Sequence, residues 1–290
     1  MRRLILACVI TLVTSVAGTF AAVDYLRGRA VQTPHFIPRT MHSAVLGETR
    51  DFLVHLPESY HREPARSYGV VYVLDGSSQD GPTADGAALM ARLGLTPELI
   101  VVGLPNVSGP GRQRDYTPPF MRQDLEAGDG LMGQADRFLD FLEREVMPTV
   151  ARDYRTTNQR LLAGHSRGGL LVSYALMARP RLFDAFLAHS PALWRDDGVL
   201  VTRLAAWLGS QSSLETFLYL SIGSEEVPRM MEGFGGLRDA LDRQAARAGL
   251  RWHADVVAGA DHQSNGPRAA PLGLAAYFGA TRRLTAASAR

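Results

Sequence analysis

The distribution of hydrophobic and polar residues divides the chain into short apolar runs separated by amphipathic segments. The runs are rich in β-branched residues and are followed by turn-forming residues; they read YGVVYVLDG, LIVVGLPN, RLLAG, FDAFLAHSP, TFLYLSIG and WHADVVAG. Continuous apolar runs of this length predict strands buried on both faces of a parallel sheet. The earlier segment HSAVLGETRDFLVHLP has two strand-like halves around Gly47. It predicts an antiparallel hairpin at one edge of the sheet.

The segments between the apolar runs space their apolar residues three and four apart, which predicts helices. They read ADGAALMARLG, ADRFLDFLEREVMPTVARDY, GLLVSYALMARP, GVLVTRLAAWLG and GLRDALDRQAARAG. Alternating strands and helices imply right-handed crossovers, and therefore an α/β fold with a doubly wound, mostly parallel sheet. Ligands of such sheets bind at the carboxyl ends of the strands.

Composition and charge narrow the class of protein. The 290 residues are 46% hydrophobic, which suffices for a full-sized core, and the net charge is only +2. A nearly balanced charge without a basic block argues against nucleic-acid binding. The single cysteine, Cys8, excludes an internal disulfide. The sequence has no metal-ligand motif and no phosphate-binding loop, so we expect no cofactor.

One strand–helix junction carries a nucleophile motif. Gly164-His165-Ser166-Arg167-Gly168 matches G-x-S-x-G and lies between an apolar strand and an apolar helix. A sharp strand-to-helix turn strains the backbone and lifts the serine hydroxyl clear of the sheet. Small residues are needed on either side because strand and helix pass close together there. We therefore predict that Ser166 is the nucleophile of a serine hydrolase.

A serine nucleophile needs a histidine base, which in α/β-hydrolases follows the acid and the serine along the chain. His262 satisfies this order, since it lies just past the last predicted strand in a glycine-containing loop. The remaining histidines precede Ser166, adjoin it, follow an earlier strand or lie within a strand; they are His35, His42, His55, His61, His165, His189 and His253. His262 is the predicted base.

The acid should follow the strand TFLYLSIG, which ends in Gly223-Ser224-Glu225-Glu226. Either glutamate could meet the histidine, and we favour Glu226 over Glu225. Asp261 is a weaker alternative because adjacent loop residues rarely join side chain to side chain. Asp196 and Asp197 follow an earlier strand and rank last.

Negative charge on the substrate oxygen needs fixed donors, which backbone amides supply in an oxyanion hole. The amide of Arg167, at the start of the helix, is one predicted donor. The second should come from the turn Leu74-Asp75-Gly76-Ser77-Ser78, where Gly76 allows a close approach. We assign it to the amide of Ser77, although an ordinary turn would contain the same residues.

With these residues in place, the chain resembles the putative esterase family of α/β-hydrolases over roughly residues 45–280. This family includes esterase D, feruloyl esterases, the antigen 85 mycolyltransferases and trilactone siderophore esterases. The matching segments are Val73 to Gly76, Arg114 to Pro118, Ala135 to Leu142, Gly164 to Gly169, Ser190 to Trp194, Gly223 to Glu226 and the final histidine loop. The resemblance implies an α/β-hydrolase fold, and it implies Glu226 as the acid because the family's acid is the third residue after the strand's glycine.

The predicted substrate is a small-molecule ester, and three residues are candidates to bind it. Arg112 and Arg114 precede the Asp-Tyr-Thr-Pro segment and suit an anionic or catecholate-bearing ester. The alternative is that an arginine there braces Asp115. Trp194 could supply an apolar wall, although core packing explains it equally well. Family members often carry leucine where Arg167 stands, so its side chain either adds positive charge near the nucleophile or lies outside the pocket.

Three functions follow, of which a serine esterase, acting on a siderophore-type ester, is the first. An acyltransferase of the cell envelope with the same triad is the second, and a non-catalytic binding module is the third.

Two arginines, an apolar run and small residues at the N-terminus are typical of a secretory signal peptide. The run is nearly long enough to span a bilayer, so membrane attachment through residues 4–23 stays open. We assign 1–22 to a signal peptide or anchor, 23–40 to a linker, 41–283 to the catalytic domain and 284–290 to a tail, and expect a periplasmic or secreted protein.

Overall fold

The computed structural model describes residues 36–122 and 132–288, with side chains up to residue 283. The predicted signal peptide or anchor, and with it the predicted membrane attachment, lies outside the described residues. Among the described residues, no helix is both long and apolar enough to cross a membrane.

Eight strands in the described part of the chain form one sheet in the order β1-β2-β4-β3-β5-β6-β7-β8. They are β1 (Phe36–Ser43), β2 (Glu48–His55), β3 (Tyr68–Leu74), β4 (Leu99–Leu104), β5 (Thr156–His165), β6 (Ala185–His189), β7 (Phe217–Gly223) and β8 (Arg251–Val257). The helices are α1 (Asp80–Arg92), α2 (Gly109–Tyr116), α3 (Ala135–Phe141), α4 (Met147–Asp153), α5 (Arg167–Ala178), α6 (Arg195–Ser210), α7 (Pro228–Ala248) and α8 (His262–Ser288), and a π-helical turn (Leu142–Val146) joins α3 to α4.

The sheet has the predicted mixed topology. Strands β1 and β2 pair antiparallel at the edge, and Gly47 in their turn has φ +72°. Strand β2 is also antiparallel to β4, whereas β3 to β8 run parallel to one another. Every residue of β3, β4, β6 and β7 is buried, as expected for strands with a helical layer on each face. The prediction of an α/β-hydrolase fold with an antiparallel N-terminal hairpin is confirmed.

Two apolar layers sandwich the sheet because successive strand residues point to opposite faces. Val70, Tyr72 and Leu74 contribute to the core that α3 to α7 cover. Val71 and Val73 contribute to the core on the other face, against α1 and α8. The parallel strands therefore present their carboxyl ends along one edge, between the two layers.

Two predicted boundaries and one predicted loop were wrong. Residues 36–40, assigned to a linker, lie in β1, because their backbone pairs with β2 despite its polar and proline-containing sequence. The predicted tail begins inside α8, which ends at Ser288. His262 is the first residue of that helix, not part of a loop. Pro267 and Pro271 lie within α8 and obscure its helical pattern in the sequence.

Candidate active site

The strand–helix junction at Ser166 has the sharp geometry that the motif predicts. Ser166 lies between β5 and α5 with φ 59° and ψ −116°, which is a strained conformation for a residue with a side chain. The turn is held from β6, since the Ser166 N–H donates to the carbonyl of His189 at 3.0 Å. The Ser166 carbonyl in turn accepts from the N–H of Ala192 at 3.0 Å. These bonds fix the hydroxyl at the carboxyl edge of the sheet.

Strain is concentrated at this edge. The described residues other than glycine that have positive φ are Asp75, Ser77, Ser166, Ser190, Asp196 and Asp197. Four of them lie in the turns that follow β3, β5 and β6, and Asp196 and Asp197 lie in the non-helical start of α6, which follows β6. Backbone strain of this kind collects at functional sites, where the surrounding structure maintains it.

Replacing Gly164 with alanine should destabilise the fold. A Cβ at Gly164 would lie 2.6 Å from the carbonyl carbon and oxygen of Gly168. We expect the free energy of unfolding to fall by about 1–3 kcal/mol, the usual cost of overpacking, measured as a lower thermal midpoint. Gly235→Ala in α7 is the matched control, since nothing lies within 4 Å of its Cβ position and alanine favours a helix. A Gly164→Ala variant as stable as the wild type would contradict the close approach.

His262 and Glu226 lie beside Ser166 in a continuous hydrogen-bonded chain. His262 Nε2 is 2.9 Å from Ser166 Oγ. On the other side of the ring, Nδ1 is 2.9 Å and 3.1 Å from the two carboxylate oxygens of Glu226. The Glu226 side chain is 1% exposed, whereas that of His262 is 36% exposed. A buried carboxylate at Nδ1 favours the tautomer that leaves Nε2 free to accept a proton from the serine.

The alternative acids have other partners. Glu225 is exposed, and its backbone N–H donates to the carbonyl of Ala260 at 2.9 Å. Asp261 caps α8, because its Oδ1 accepts from the Ser264 N–H at 2.8 Å while its own N–H donates to Ser264 Oγ at 3.0 Å. The hydrogen bonds from Ser264 hold the pKa of Asp261 below its usual value. Asp196 Oδ2 accepts from the backbone N–H of Arg122 at 2.8 Å.

His165 contacts the predicted base although it is not the base itself. Its ring centroid is 4.7 Å from that of His262, and the residue is buried. Burial, together with the nearby His262, lowers the pKa of His165 to about 4. His165 is therefore neutral near pH 7, so it packs against His262 without adding a positive charge.

The Ser77 amide, predicted to be the second oxyanion donor, already has a hydrogen-bond partner. The Ser77 N–H donates to Asp80 Oδ1 at 2.8 Å. Asp80 is in turn bound through Oδ2 to His55 Nε2 at 2.8 Å. This side chain, three residues beyond Ser77 along the chain, satisfies the amide locally and so competes with an oxyanion role. Arg167 is the first residue of α5, and the N–H groups of a first helical turn point toward the helix N-terminus, here Ser166.

The two candidate arginines of α2 have different surroundings. Arg112 forms a two-pronged ion pair with Asp75, at 2.6 Å from Nε and 2.7 Å from Nη2. Its Nη2 also donates to the carbonyl of His165 at 3.3 Å, so the guanidinium lies beside the residue preceding Ser166. Arg114 instead contacts Glu48 at 2.6 Å and Asp115 at 2.7 Å. Those two carboxylates raise its pKa. Arg114 thus braces Asp115, as the alternative interpretation of these arginines held, and its role in substrate binding stays a prediction.

The side chain of Arg167 does not line an open pocket. It is 1% exposed, and Nη1 donates to Thr117 Oγ1 at 3.1 Å. Because Thr117 directly follows α2, this bond ties the nucleophile helix to the segment that carries Arg112. This buried position agrees with the second of the two predicted alternatives, in which the Arg167 side chain lies outside the pocket.

Trp194 is half-buried at the end of the loop that holds the nucleophile turn. The guanidinium of Arg195 lies 4.8 Å from its ring centroid and that of Arg229 lies 4.1 Å from it. Arg229 is exposed in the first turn of α7, three residues after Glu226. Trp194 and Arg229 therefore form an aromatic and cationic pair whose cation is three residues from Glu226 along the chain. Arg229 did not emerge from the sequence, because its proximity to Trp194 depends on how α6 and α7 pack.

Comparison with known proteins identifies the family to which the chain belongs. The model of the family described as "Putative esterase" matches residues 43–250. Ferri-bacillibactin esterase BesA of Bacillus subtilis is 30% identical over 167 residues, covering 53% of this chain and 58% of that protein. A siderophore enterobactin esterase of Emericella nidulans is 31% identical over 181 residues, covering 56% of this chain and 59% of that protein. The chain thus aligns with less than two thirds of the length of these relatives.

A solved structure extends the similarity to most of the fold. The IroE-like serine hydrolase of Shewanella oneidensis superposes with a TM-score of 0.76 at 29% identity, covering 84% of this chain and 80% of that chain. The family model alone spans well over half of the sequence. The fold, the strained serine between β5 and α5, and the matched residues lead to one conclusion: this chain belongs to the putative esterase family.

Proposed function

We propose that the protein is a serine esterase that hydrolyses a carboxylic ester through Ser166, His262 and Glu226. One observation carries the proposal: Ser166 Oγ, the His262 ring and the Glu226 carboxylate form a single chain of hydrogen bonds of 2.9 Å on each side of the imidazole. This is the arrangement in which a histidine can take the serine proton while a carboxylate stabilises the resulting imidazolium.

In the first half of the reaction, Ser166 Oγ attacks the ester carbonyl as its proton passes to His262 Nε2. The carbonyl oxygen becomes negatively charged at the N-terminus of α5, where the Arg167 amide is the proposed donor. Collapse of this intermediate breaks the bond to the alcohol oxygen. His262 returns its proton to the departing alcohol, and the acyl group remains on Ser166.

In the second half, water replaces the alcohol. His262 takes a proton from the attacking water, and its oxygen bonds to the acyl carbon. The bond from that carbon to Ser166 Oγ then breaks as His262 returns the proton to the serine. Carboxylic acid and free enzyme are the products, so one water is consumed for each ester cleaved.

We propose further that the ester is of siderophore type and carries anionic or catecholate groups. The names of the two relatives described above support this class. The pair of Trp194 and Arg229 beside Glu226 supports it independently, since an aromatic face and a guanidinium suit an aromatic anion. Arg112 supplies a second guanidinium near Ser166, although it also holds Asp75.

Replacing Arg229 with glutamine should weaken recognition of an anionic substrate selectively. We expect kcat/KM for a catecholate trilactone to fall about 5- to 20-fold, the range of one partly desolvated guanidinium contact. Hydrolysis of p-nitrophenyl butyrate, which has no anionic group, should stay within about twofold of wild type. Arg238→Gln, on an exposed position of the same helix, is the matched control. Equal losses on both substrates would contradict a role of Arg229 in substrate recognition.

The function is tested with the full-length protein, a fluorophosphonate probe and two esters. Labelling of the wild type, with kcat/KM at least about tenfold higher for the trilactone than for p-nitrophenyl butyrate, is the expected result. Labelling without that preference would support the esterase activity but contradict the siderophore-type substrate. Transfer of the acyl group to an added alcohol in preference to water would favour the acyltransferase. An unlabelled, inactive wild type would favour the binding module.

Export is a separate proposal that rests on residues 1–22 alone. Arg2 and Arg3 precede the apolar run of that segment, as in secretory signal peptides. Expression of the full chain followed by N-terminal sequencing of the mature protein tests it. A cleaved protein outside the cytoplasm supports export with processing, an uncleaved membrane-bound protein supports the anchor, and an uncleaved cytoplasmic protein contradicts both.

A further inference from the structure

A buried polar cluster lies directly behind the proposed triad. It consists of His189, Ser190, Ser221 and Asn265, all buried from solvent. Asn265 Nδ2 donates to Ser190 Oγ at 2.8 Å and to Ser221 Oγ at 3.2 Å. Ser221 Oγ is also 3.0 Å from His189 Nδ1. We call these four residues the Asn265 cluster.

The Asn265 cluster connects the three segments that carry the triad. Asn265 lies in the first turn of α8, three residues after His262. Ser190 follows β6, whose last residue accepts the backbone N–H of Ser166. Ser221 lies on β7, which leads to Glu226. One side-chain amide therefore joins the segment of the base to the segments that hold the nucleophile and the acid.

We propose that Asn265 is the positioning residue that keeps His262 Nε2 within hydrogen-bonding distance of Ser166 Oγ. This inference rests on the proposed function. The first residue of a helix is the residue most prone to fraying, and His262 is also partly exposed. The bonds between Asp261 and Ser264 cap the helix on its exposed side, and those of Asn265 anchor the same turn to the sheet.

The chemistry of the cluster requires an amide at this position. The Nδ2 group carries two hydrogens, so it can donate to two hydroxyl groups at once, whereas aspartate has no donor when ionised and leucine has none at all. Complete burial lowers the pKa of His189 to about 3, so its imidazole is neutral. A neutral Nδ1 either accepts from the Ser221 hydroxyl or donates to it, and in both cases the Ser221 oxygen can accept from Asn265. The two hydrogen bonds that Asn265 donates therefore run from α8 into the sheet.

Replacing Asn265 with leucine, which has the same number of side-chain heavy atoms but no polar group, tests the positioning role. We expect kcat for p-nitrophenyl butyrate to fall about 10- to 100-fold, as a displacement of a catalytic group by about 1 Å typically causes, with KM within about twofold of wild type. Leu274→Ala is the matched control. Leu274 is buried in the core layer between α8 and the sheet, about three helical turns from His262, so this variant should lose thermal stability without losing kcat. Equal kcat losses in both variants, or an unchanged kcat in Asn265→Leu, would overturn the proposal.

Ser190→Ala provides a second variant should Asn265→Leu fail to fold. It removes one acceptor of Asn265 but leaves the bond to Ser221. A smaller fall in kcat at unchanged KM is the expected result. Where the double variant folds, it should lose no more kcat than Asn265→Leu alone, because both changes break the same connection. A Ser190→Ala variant with wild-type kcat would contradict the inference.

A crystal structure of Asn265→Leu separates this inference from the proposed function. An increase of the distance from His262 Nε2 to Ser166 Oγ beyond hydrogen-bonding range supports the positioning role, even if the wild type hydrolyses no ester. A distance still near 2.9 Å overturns the positioning role, even if the wild type is an active esterase. Failure of the esterase function itself would appear as an unlabelled wild type.

Discussion

Replacing either Ser166 or His262 with alanine should reduce kcat by about 10⁴- to 10⁶-fold, and the double variant should be no less active than either single one. Both side chains act in one proton transfer across the 2.9 Å contact between Oγ and Nε2. Without Ser166, His262 has no hydroxyl proton to accept. Without His262, Ser166 has no base to activate it. The residual rate then comes from substrate binding and the oxyanion site. Hydrolysis of p-nitrophenyl butyrate measures the fall in kcat, and fluorophosphonate labelling measures the reactivity of the serine.

His42→Ala is the control for this pair, because His42 is an exposed histidine on the edge strand β1. Its activity should match that of the wild type. Retained labelling in Ser166→Ala would identify a different nucleophile. Losses that multiply in the double variant would show that Ser166 and His262 act in separate steps, which would contradict the proposed mechanism.

The fold was largely predictable because strands that are buried on both faces are apolar at nearly every position. The run containing Val70 to Leu74 is apolar at every position since successive side chains enter two different cores. By contrast, α8 was missed because Pro267 and Pro271 interrupt its pattern. Strand β1 was missed at its start because backbone pairing with β2, rather than side-chain burial, holds residues 36–40 in the sheet.

The candidate site was predictable where position along the chain determines position in space. Parallel strands bring their carboxyl ends to one edge, which places Ser166, Glu226 and the start of α8 together. Contacts that depend on side-chain direction were not predictable. The bond from Ser77 to Asp80 competes with an oxyanion role, and the bonds of Asn265 depend on how α8 packs against β6 and β7.

Replacing Glu226 with glutamine should reduce kcat by about 10³- to 10⁴-fold, while Glu225→Gln should stay within about twofold of wild type. Glutamine keeps the shape of Glu226 but removes its charge, so the imidazolium formed during attack loses its buried counter-charge. Its Nε2 can also donate to His262 Nδ1 and so favour the wrong tautomer. Initial rates on p-nitrophenyl butyrate measure both effects.

Glu225 is a close control for this substitution because it has the same side chain, adjoins Glu226 and belongs to the same loop. Its backbone N–H, not its carboxylate, makes the bond to Ala260 that braces the loop against the end of β8. Glu225→Gln keeps that bond and changes only an exposed charge, which is worth little. Equal losses in the two variants would mean that the carboxylates share the role of the acid. A larger loss in Glu225→Gln would mean that the hydrogen bonds between Glu226 and His262 do not determine the tautomer of the base.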